Sequence, residues 1–275
     1  MARVAGVVGA AAIGVALLLG AGPARVAAQE EDEGLGTAAP AEARAVLARG
    51  IEAMGGFQAT SAVRAAVLKI EAGKGAVQER HTLRLAGRHL HYASRQPNGS
   101  GFDVVLAGPL GFLCDRGPDG ASTYSEELAP EDVKEGAYER DVLFMPLLLG
   151  QLLEDPRSNL EHRGRNSVGE VVVKATVPPA ADQKAEPFVV RLKFDPASRR
   201  LTGVMGTVPL GAEAGRKRYV TFDDWREVGA LLLPHRLVDA RDPEAPAREV
   251  DVTWTLDPEL DPALFTRPAT PRSRQ

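Results

Sequence analysis

The stretch YVTFDDWREVGALLLPHRLVDA, residues 219–240, decides the fold class of this chain. Apolar and β-branched residues form a run on either side of a charged segment, an arrangement typical of two antiparallel strands joined by a short connection. We therefore expect a hairpin with strands over 217–225 and 231–241. Because charged residues concentrate in solvated turns, the segment from Asp224 to Glu227 is expected at the turn.

The residues that follow this hairpin show the clearest strand pattern in the chain. In EVDVTWTL, residues 249–256, every second residue from Val250 to Leu256 is apolar and the residues between are polar. This period of two predicts a strand with one buried and one solvated face. Further strands are predicted within 62–73, 81–95, 101–117, 170–177 and 187–209. No alternating strand–helix pattern is present, which disfavours a parallel, doubly wound fold.

A first helix is predicted before these strands. Pro40 suits the first turn of a helix, and apolar residues then recur at helical spacing up to Met54. Gly55 and Gly56 follow at the position where glycine commonly ends a helix. One face of this helix is apolar, so we expect it to pack against the strands.

A second helical region interrupts the strands. The polar, acidic residues 130–138 precede DVLFMPLLLGQLLED, residues 141–155, the most apolar segment after the N-terminus. A helix is expected from Pro146 to Leu153, because proline fits only the first turn of a helix. The chain therefore predicts an α+β fold, in which a large curved antiparallel sheet, an incomplete β-barrel, has helices packed on its concave face.

The N-terminus is typical of a secretory signal peptide. An apolar run extends from Val4 to Gly20, and small residues precede Gln29. A membrane anchor is the alternative, but it needs about 20 apolar residues. We expect export to the periplasm, with no stable membrane span after cleavage. The predicted organisation is a signal peptide over 1–28, a flexible linker over 29–40, one domain over 41–268 and a disordered tail over 269–275.

Charge and cysteine content restrict the partners. The chain has 33 basic and 37 acidic residues, and removal of residues 1–28 takes away two arginines and no acid. An acidic protein of this kind is not expected to bind nucleic acid, because phosphate binding depends on Lys and Arg. Adsorption to anionic lipid by net charge alone is likewise disfavoured. Cys114 is the single cysteine, so no internal disulfide and no cysteine metal cluster can form.

Two groups of polar residues are candidates for chemistry. His89 and His91 are two residues apart and share a strand face, but a metal site needs a third ligand, so we expect solvated histidines and no metal. Asp223, Asp224 and His235 could meet in the hairpin as a general-base group. No nucleophile motif accompanies them, and the chain is expected to be neither an enzyme nor a cofactor binder.

The apolar segment 141–153 is the strongest indication of function. Its apolar residues are too many for one helical stripe, so the segment needs apolar neighbours on all sides or an apolar ligand on one side. Ordinary core packing and closure over an apolar cavity both satisfy that need.

The order of these elements resembles the periplasmic lipoprotein-carrier (LolA-like) half-barrel superfamily and its outer-membrane lipoprotein-sorting-like members. ARGIEAMGGFQATSAVRAAVLKIEA (48–72) is similar to the family's opening, a helix that ends in Gly-Gly before the first strand. The hairpin 219–240, with Gly229, Leu231 and Pro234, and the ending LDPELDPALFTRP (256–268) are similar too. The resemblance implies an incomplete barrel with lid helices inserted mid-sheet; it assigns no role to an individual residue.

From these features the sequence predicts a binding or carrier protein for the acyl chains of a lipid or a lipoprotein anchor. The alternative is an envelope protein-interaction or sensor domain that has the same scaffold and a protein partner but no cavity. The predicted cavity wall comprises Val220, Phe222, Leu233, Val252 and Trp254. The predicted lid comprises Phe144, Met145, Leu148 and Leu152.

Overall fold

The computed structural model describes residues 40–72, 79–179, 187–208, 215–240 and 247–267. The predicted signal peptide, the linker up to residue 39 and the tail from 268 lie outside the described residues. The helices are α1 (Pro40–Ala53), α2 (Phe57–Ala62), α3 (Pro130–Leu143) and α4 (Met145–Glu154), with a C-terminal 3-10 helix (Pro262–Phe265). The strands are β1 (Ala65–Ala72), β2 (Glu79–Ala86), β3 (His89–Arg95), β4 (Gly101–Ala107), β5 (Leu110–Arg116), β6 (Ser122–Glu127), β7 (Leu160–Arg165), β8 (Val171–Val177), β9 (Phe188–Phe194), β10 (Leu201–Thr207), β11 (Lys217–Val228), β12 (Leu231–Ala240) and β13 (Arg248–Leu256).

These strands form one antiparallel sheet in the order β6-β5-β4-β3-β2-β1-β13-β12-β11-β10-β9-β8-β7. Strands that are adjacent in the sheet are consecutive in the chain, apart from the central pair of β1 with β13. The two edges are β6 and β7, and the segment that connects them contains α3 and α4. The predicted fold class is therefore confirmed: the sheet is open, and the helices are inserted in the middle of its sequence.

The sheet curves around α3. On β5, a Cβ added to Gly111 would lie 2.7 Å from Val133 near the start of α3. On β10, a Cβ added to Gly206 would lie 2.6 Å from the Tyr138 hydroxyl of the same helix. These two strands are second and tenth in the sheet order, so one helix can contact both only if the sheet bends around it. The helices consequently occupy the concave, inner face.

Hydrophobic burial holds the inner face together. Alternate residues of most strands, such as Leu68, Leu83 and Val252, belong to one core cluster with the apolar residues of α1, α3 and α4. The alternation predicted for β13 is confirmed, since Val252 and Trp254 are buried and Asp251 and Thr253 are exposed. This burial, at roughly 25 cal/mol per Å² of apolar surface, drives the sheet and helices together.

Several predicted boundaries were wrong. Residues 81–95 form two strands, because Gly87 adopts a φ of 58° and turns the chain. The hairpin turn after β11 lies at Gly229-Ala230, so the charged residues 224–227 belong to the extended strand. Helix α2 and the edge strands β6 and β7 were not predicted. Their short, polar sequences carry little periodicity, and pairing or packing with neighbouring elements decides their structure.

Candidate functional site

The predicted wall and lid residues lie together on the inner face. All nine are at most 5% exposed and belong to the same core cluster. The ring of Phe144, between α3 and α4, meets the indole of Trp254 on β13 edge-on, with centroids 5.7 Å apart. The indole nitrogen of Trp254 donates a hydrogen bond of 2.6 Å to the carbonyl of Pro234. The wall thus has a fixed orientation under the helix pair.

Helix α4 is apolar on nearly every side. Met145, Leu147, Leu148, Leu149 and Leu152 are all buried. The helix begins at Met145, one residue before the predicted start at Pro146, which lies in the first turn. The side facing away from the sheet is covered by α2, where Phe57 lies 3.4 Å from a Cβ placed on Gly150. The need for apolar neighbours on every side is therefore met by protein atoms.

Two small pockets lie beside α4. One, with a volume of about 30 Å³, is lined by Val63, Arg64, Leu147, Leu148 and others from β1 and the β2–β3 turn. The second, of about 10 Å³, lies on the other side of Leu148, next to Arg88 and Ser158. Each has room for about one water molecule. An acyl chain can enter at either place only if α4 moves.

An ion cluster, here called the inner cluster, joins α3 to the sheet. Arg218 on β11 donates to both carboxylate oxygens of Asp239 on β12, at 3.0 Å each, and forms an ion pair with Glu139 on α3. Arg218 and Glu139 are 1% exposed and Asp239 is 7% exposed. One arginine therefore binds two buried carboxylates, and its loss would remove a buried cation from both.

A neighbouring contact holds the same helix to the β2–β3 turn. Asp141 accepts hydrogen bonds from Arg140 Nε at 2.7 Å and from Arg88 Nη1 at 3.0 Å. Arg140 also donates to the backbone carbonyl of Arg88. Residues 139–141 thus tie the end of α3 to opposite parts of the sheet. Because α4 follows directly, this attachment also positions the predicted lid.

The sequence carried a signal for the inner cluster that the hairpin prediction did not use. Arg218 is in phase with Val220 and Phe222, so the period of two places its guanidinium on the buried face. A charged residue in phase with a buried face needs a buried partner. The partners Glu139 and Asp239 could not be identified from spacing, because they lie 79 and 21 residues away in the chain.

The hairpin residues proposed as a general-base group are each engaged elsewhere. Asp223 lies 3.8 Å from Arg236, and Asp224 pairs with Arg226 at 2.5 Å. This hydrogen bond lowers the pKa of Asp224 below its usual value. The His235 ring contacts the carbonyl of Leu233 at 3.1 Å. Among the described residues, these three side chains share no hydrogen bond, so the geometry gives no support for hydrolysis here.

The histidines differ from the sequence prediction. His89 is exposed, but His91 is 5% and His81 is 1% exposed, so the expectation of solvated histidines was wrong for His91. The turn at Gly87 also places His81 and His91 on opposite faces of the sheet. His81 contacts the Tyr92 hydroxyl at 2.9 Å, and burial lowers the pKa of His81 to about 4. Within the described ranges, no His, Cys, Asp and Glu side chains form a group able to hold a metal ion.

Cys114 is fully buried on β5, and its Sγ lies 3.0 Å from the Ser122 hydroxyl.

In the part of the chain that the structure describes, no helix is long and apolar enough to cross a membrane.

Comparisons with known proteins bear on the fold. No protein-family model and no curated protein sequence matches the chain. Among solved structures, a LolA superfamily protein from Nitrosomonas europaea is similar at 12% identity and a TM-score of 0.46, covering 82% of this chain and 97% of the other. A DUF1329 family protein from Desulfovibrio piger has 10% identity and a TM-score of 0.41, with 82% and 97% coverage.

The lipoprotein LppX from Mycobacterium tuberculosis has 9% identity and a TM-score of 0.29, with 81% and 99% coverage. The first of the three structures carries the superfamily name that the sequence resemblance gave. At these identities and TM-scores, no residue role and no ligand transfers to this chain.

Proposed function

We propose that this protein is a periplasmic carrier that binds the acyl chains of a lipid or a lipoprotein anchor between the inner face of the sheet and α4. The observation that carries the proposal is the contact between α4 and the wall. It consists of apolar side chains, with Phe144 on Trp254 at its centre. Acyl chains can replace such side chains against the wall, because hydrophobic contact is non-directional.

The closed arrangement sets the mechanism of binding. Since the pockets beside Leu148 hold about one water molecule each, the leucines of α4 occupy the space that a ligand would take. Uptake then requires α4 to leave the wall while α3 stays attached through the inner cluster. Phe144, with a φ of −93° and a ψ of 11°, breaks the helical geometry between α3 and α4 and supplies the hinge.

The test compares lid and wall variants of the full chain. Leu148→Ser weakens the competing lid and is expected to raise affinity for a fluorescent fatty acid about tenfold. Phe222→Ser weakens the wall and is expected to lower affinity by a similar factor, since each side chain contributes about 1.5–3 kcal/mol of burial. Val189→Ser, at a residue that is 44% exposed, is the control and should leave affinity unchanged.

Organic extraction of the purified protein followed by mass spectrometry tests for a bound natural lipid. The proposal is wrong if no lipid is extracted and neither the natural chain nor Leu148→Ser takes up the fatty acid. A filled interior would then favour the second candidate, an envelope interaction or sensor domain. The small volumes beside α4 are the observation that supports this candidate.

A further inference from the structure

The outer face of strands β1–β5 concentrates positive charge. On these strands the residues that alternate with the core residues point outward, and five of them are basic whereas two, Glu71 and Asp103, are acidic. The basic residues are Lys69, Arg80, Arg84, Arg95 and Arg116. We call this set the basic face. Its excess of three positive charges contrasts with the net charge of −4 of the whole chain.

Strand register arranges part of the basic face as a row. Arg80 on β2 lies directly opposite Arg95 on β3, and Arg95 lies opposite Gly101 on β4. Gly101 lies opposite Arg116 on β5, so three arginines follow one another across four strands with a residue that lacks a side chain between the last two. Like charges directly opposite one another destabilise a sheet, and an anion over the row would relieve this repulsion.

A buried carboxylate fixes these arginines in place. Asp103, 2% exposed, accepts from Arg95 at 2.5 Å and from Arg116 at 2.7 Å, and His91 lies 3.7 Å away. His91 in turn contacts Arg84 at 3.0 Å. Burial raises the pKa of Asp103, but hydrogen bonds from His91 and Arg95 outweigh it and hold the pKa at about 2. One carboxylate therefore orients several guanidinium groups and neutralises only one of them.

The guanidinium groups remain accessible. The side chain of Arg95 is 31% exposed and that of Arg116 is 24% exposed, whereas Lys69 and Arg80 are exposed residues at the solvent side. Side chains that are already ordered lose less conformational entropy when they bind a partner. The basic face thus presents fixed, solvent-accessible cations that suit phosphate groups.

We propose that the basic face docks on the phosphate headgroups of an anionic phospholipid bilayer. At about 4.8 Å between strands, five strands extend over roughly 19 Å, which is wider than one phosphate and matches a lattice of headgroups. Of the exposed large apolar residues of the described chain, Leu110 on β5 shares this outer face, whereas Tyr124, Val168 and Val189 lie outside strands β1–β5. A single exposed leucine provides few of the apolar anchors that protein interfaces use, which favours the bilayer over an acidic protein. Docking does not depend on acyl-chain binding.

The test is cosedimentation of the full chain with vesicles at low salt. Vesicles of phosphatidylcholine with 30% phosphatidylglycerol are compared with vesicles of phosphatidylcholine alone, which report any apolar contribution, including that of residues 4–20. Lys69→Gln/Arg80→Gln is expected to weaken binding to the anionic vesicles about 25-fold, since one cation near an anionic membrane changes partitioning about fivefold. The control Arg49→Gln/Lys217→Gln removes the same charge from exposed positions elsewhere and should change binding by less than twofold.

Three outcomes would overturn the proposal. Equal losses in the two double variants, both with unchanged thermal unfolding, would mean that total charge alone acts. Displacement by inorganic phosphate, beyond that by chloride at equal ionic strength, would indicate a site for free phosphate. Binding to polyglutamate without binding to anionic vesicles would indicate an acidic protein partner.

Discussion

The inner cluster and the cluster formed by Asp103, Arg95, Arg116 and His91 bury charge in the same sheet with opposite ratios of arginine to carboxylate. Inside, one arginine, Arg218, serves two carboxylates and joins α3 to β11 and β12. Outside, one carboxylate, Asp103 on β4, serves two arginines on the neighbouring strands β3 and β5. In the inner cluster the positive charge is fully balanced, and the ion pairs join a helix to the sheet. In the outer cluster one positive charge stays unbalanced, and the ion pairs join strands that are already paired. Unbalanced, solvent-accessible charge is what a binding surface requires.

Removal of the central arginine should produce the largest effect. In Arg218→Met, Glu139 and Asp239 lose the buried cation that they share, so we expect a loss of about 3–5 kcal/mol in the free energy of unfolding, measured by urea denaturation. Arg226→Met is the control, because the pair with Asp224 is exposed and screened by solvent, so its loss should change the free energy of unfolding far less. A loss below about 1 kcal/mol in Arg218→Met would mean that the inner cluster does not hold α3 to the sheet.

Acid should destabilise the inner and outer faces of the sheet over different pH ranges. The folded-state pKa of His81, on the inner face, is about 4 compared with 6.5 in the unfolded chain. The stability that depends on neutral His81 is therefore present above pH 6.5 and is lost as the pH falls from 6.5 to 4, by up to roughly 3 kcal/mol. The contribution of Asp103, outside, is lost only between pH 3.8 and 2.

Urea denaturation at a series of pH values measures the first window. In His81→Gln the free energy of unfolding should fall less steeply between pH 6.5 and 4, whereas in Asp103→Asn the steepness in this range should not change. If the slope of the natural chain is unchanged in His81→Gln, another group is responsible for acid sensitivity in this range.

Asp103→Asn should have a moderate effect on stability and an opposite effect on binding. Charged hydrogen bonds are lost, but Arg95 and Arg116 can turn toward water, so we expect a cost of about 2 kcal/mol. The excess charge of the basic face rises by one, and binding to anionic vesicles should strengthen at low salt. A variant that is less stable but binds more tightly would establish that the two clusters differ in purpose; weaker binding would show that the order imposed by Asp103 matters more than charge.

The smallest expected effect concerns Gly206→Ala. An added Cβ would lie 2.6 Å from the Tyr138 hydroxyl, closer than Cβ atoms approach in known protein structures, so Tyr138 and the helix α3 that carries it must shift. We expect a loss of about 1–2 kcal/mol in stability and a rise in fatty-acid uptake, because the displaced helix loosens α4. Gly169→Ala is the comparison: the added atom would meet nothing within 4 Å but φ is 90°, so it should lose stability through backbone strain alone and leave fatty-acid uptake unchanged.

Sequence reasoning predicted the fold where residue patterns are regular. The period of two in β13, the helical spacing in α1 and the apolar run of α4 were sufficient for the fold class and for the burial of the nine wall and lid residues. Whether these residues bind a ligand stays a prediction. Strands β6 and β7 were missed because an edge strand that is paired on one side needs little apolar sequence.

The ion clusters could not be predicted from the chain, because their partners meet only through tertiary structure. Arg218 and Glu139 are 79 residues apart, and α3 has too little hydrophobic periodicity to indicate that its charged residues are buried. The basic face could be identified only from the strand register. Total charge indicated an acidic protein, and only the alternation of β2 and β3 about the turn at Gly87 shows that the charges are segregated.

The central pairing of β1 with β13 has a consequence for how the chain acquires its structure. Lys69 pairs with Thr253, so the middle of the sheet is completed by a contact between residues 184 positions apart. Contacts of such long range are slow to form, because the entropy of loop closure precedes any gain from packing. Until residues 248–256 are available, the two halves of the sheet have no connecting strand. A ribosome-bound chain would therefore keep one edge of β1 unpaired until then, and chaperones that bind unpaired strand edges would act on it longest there.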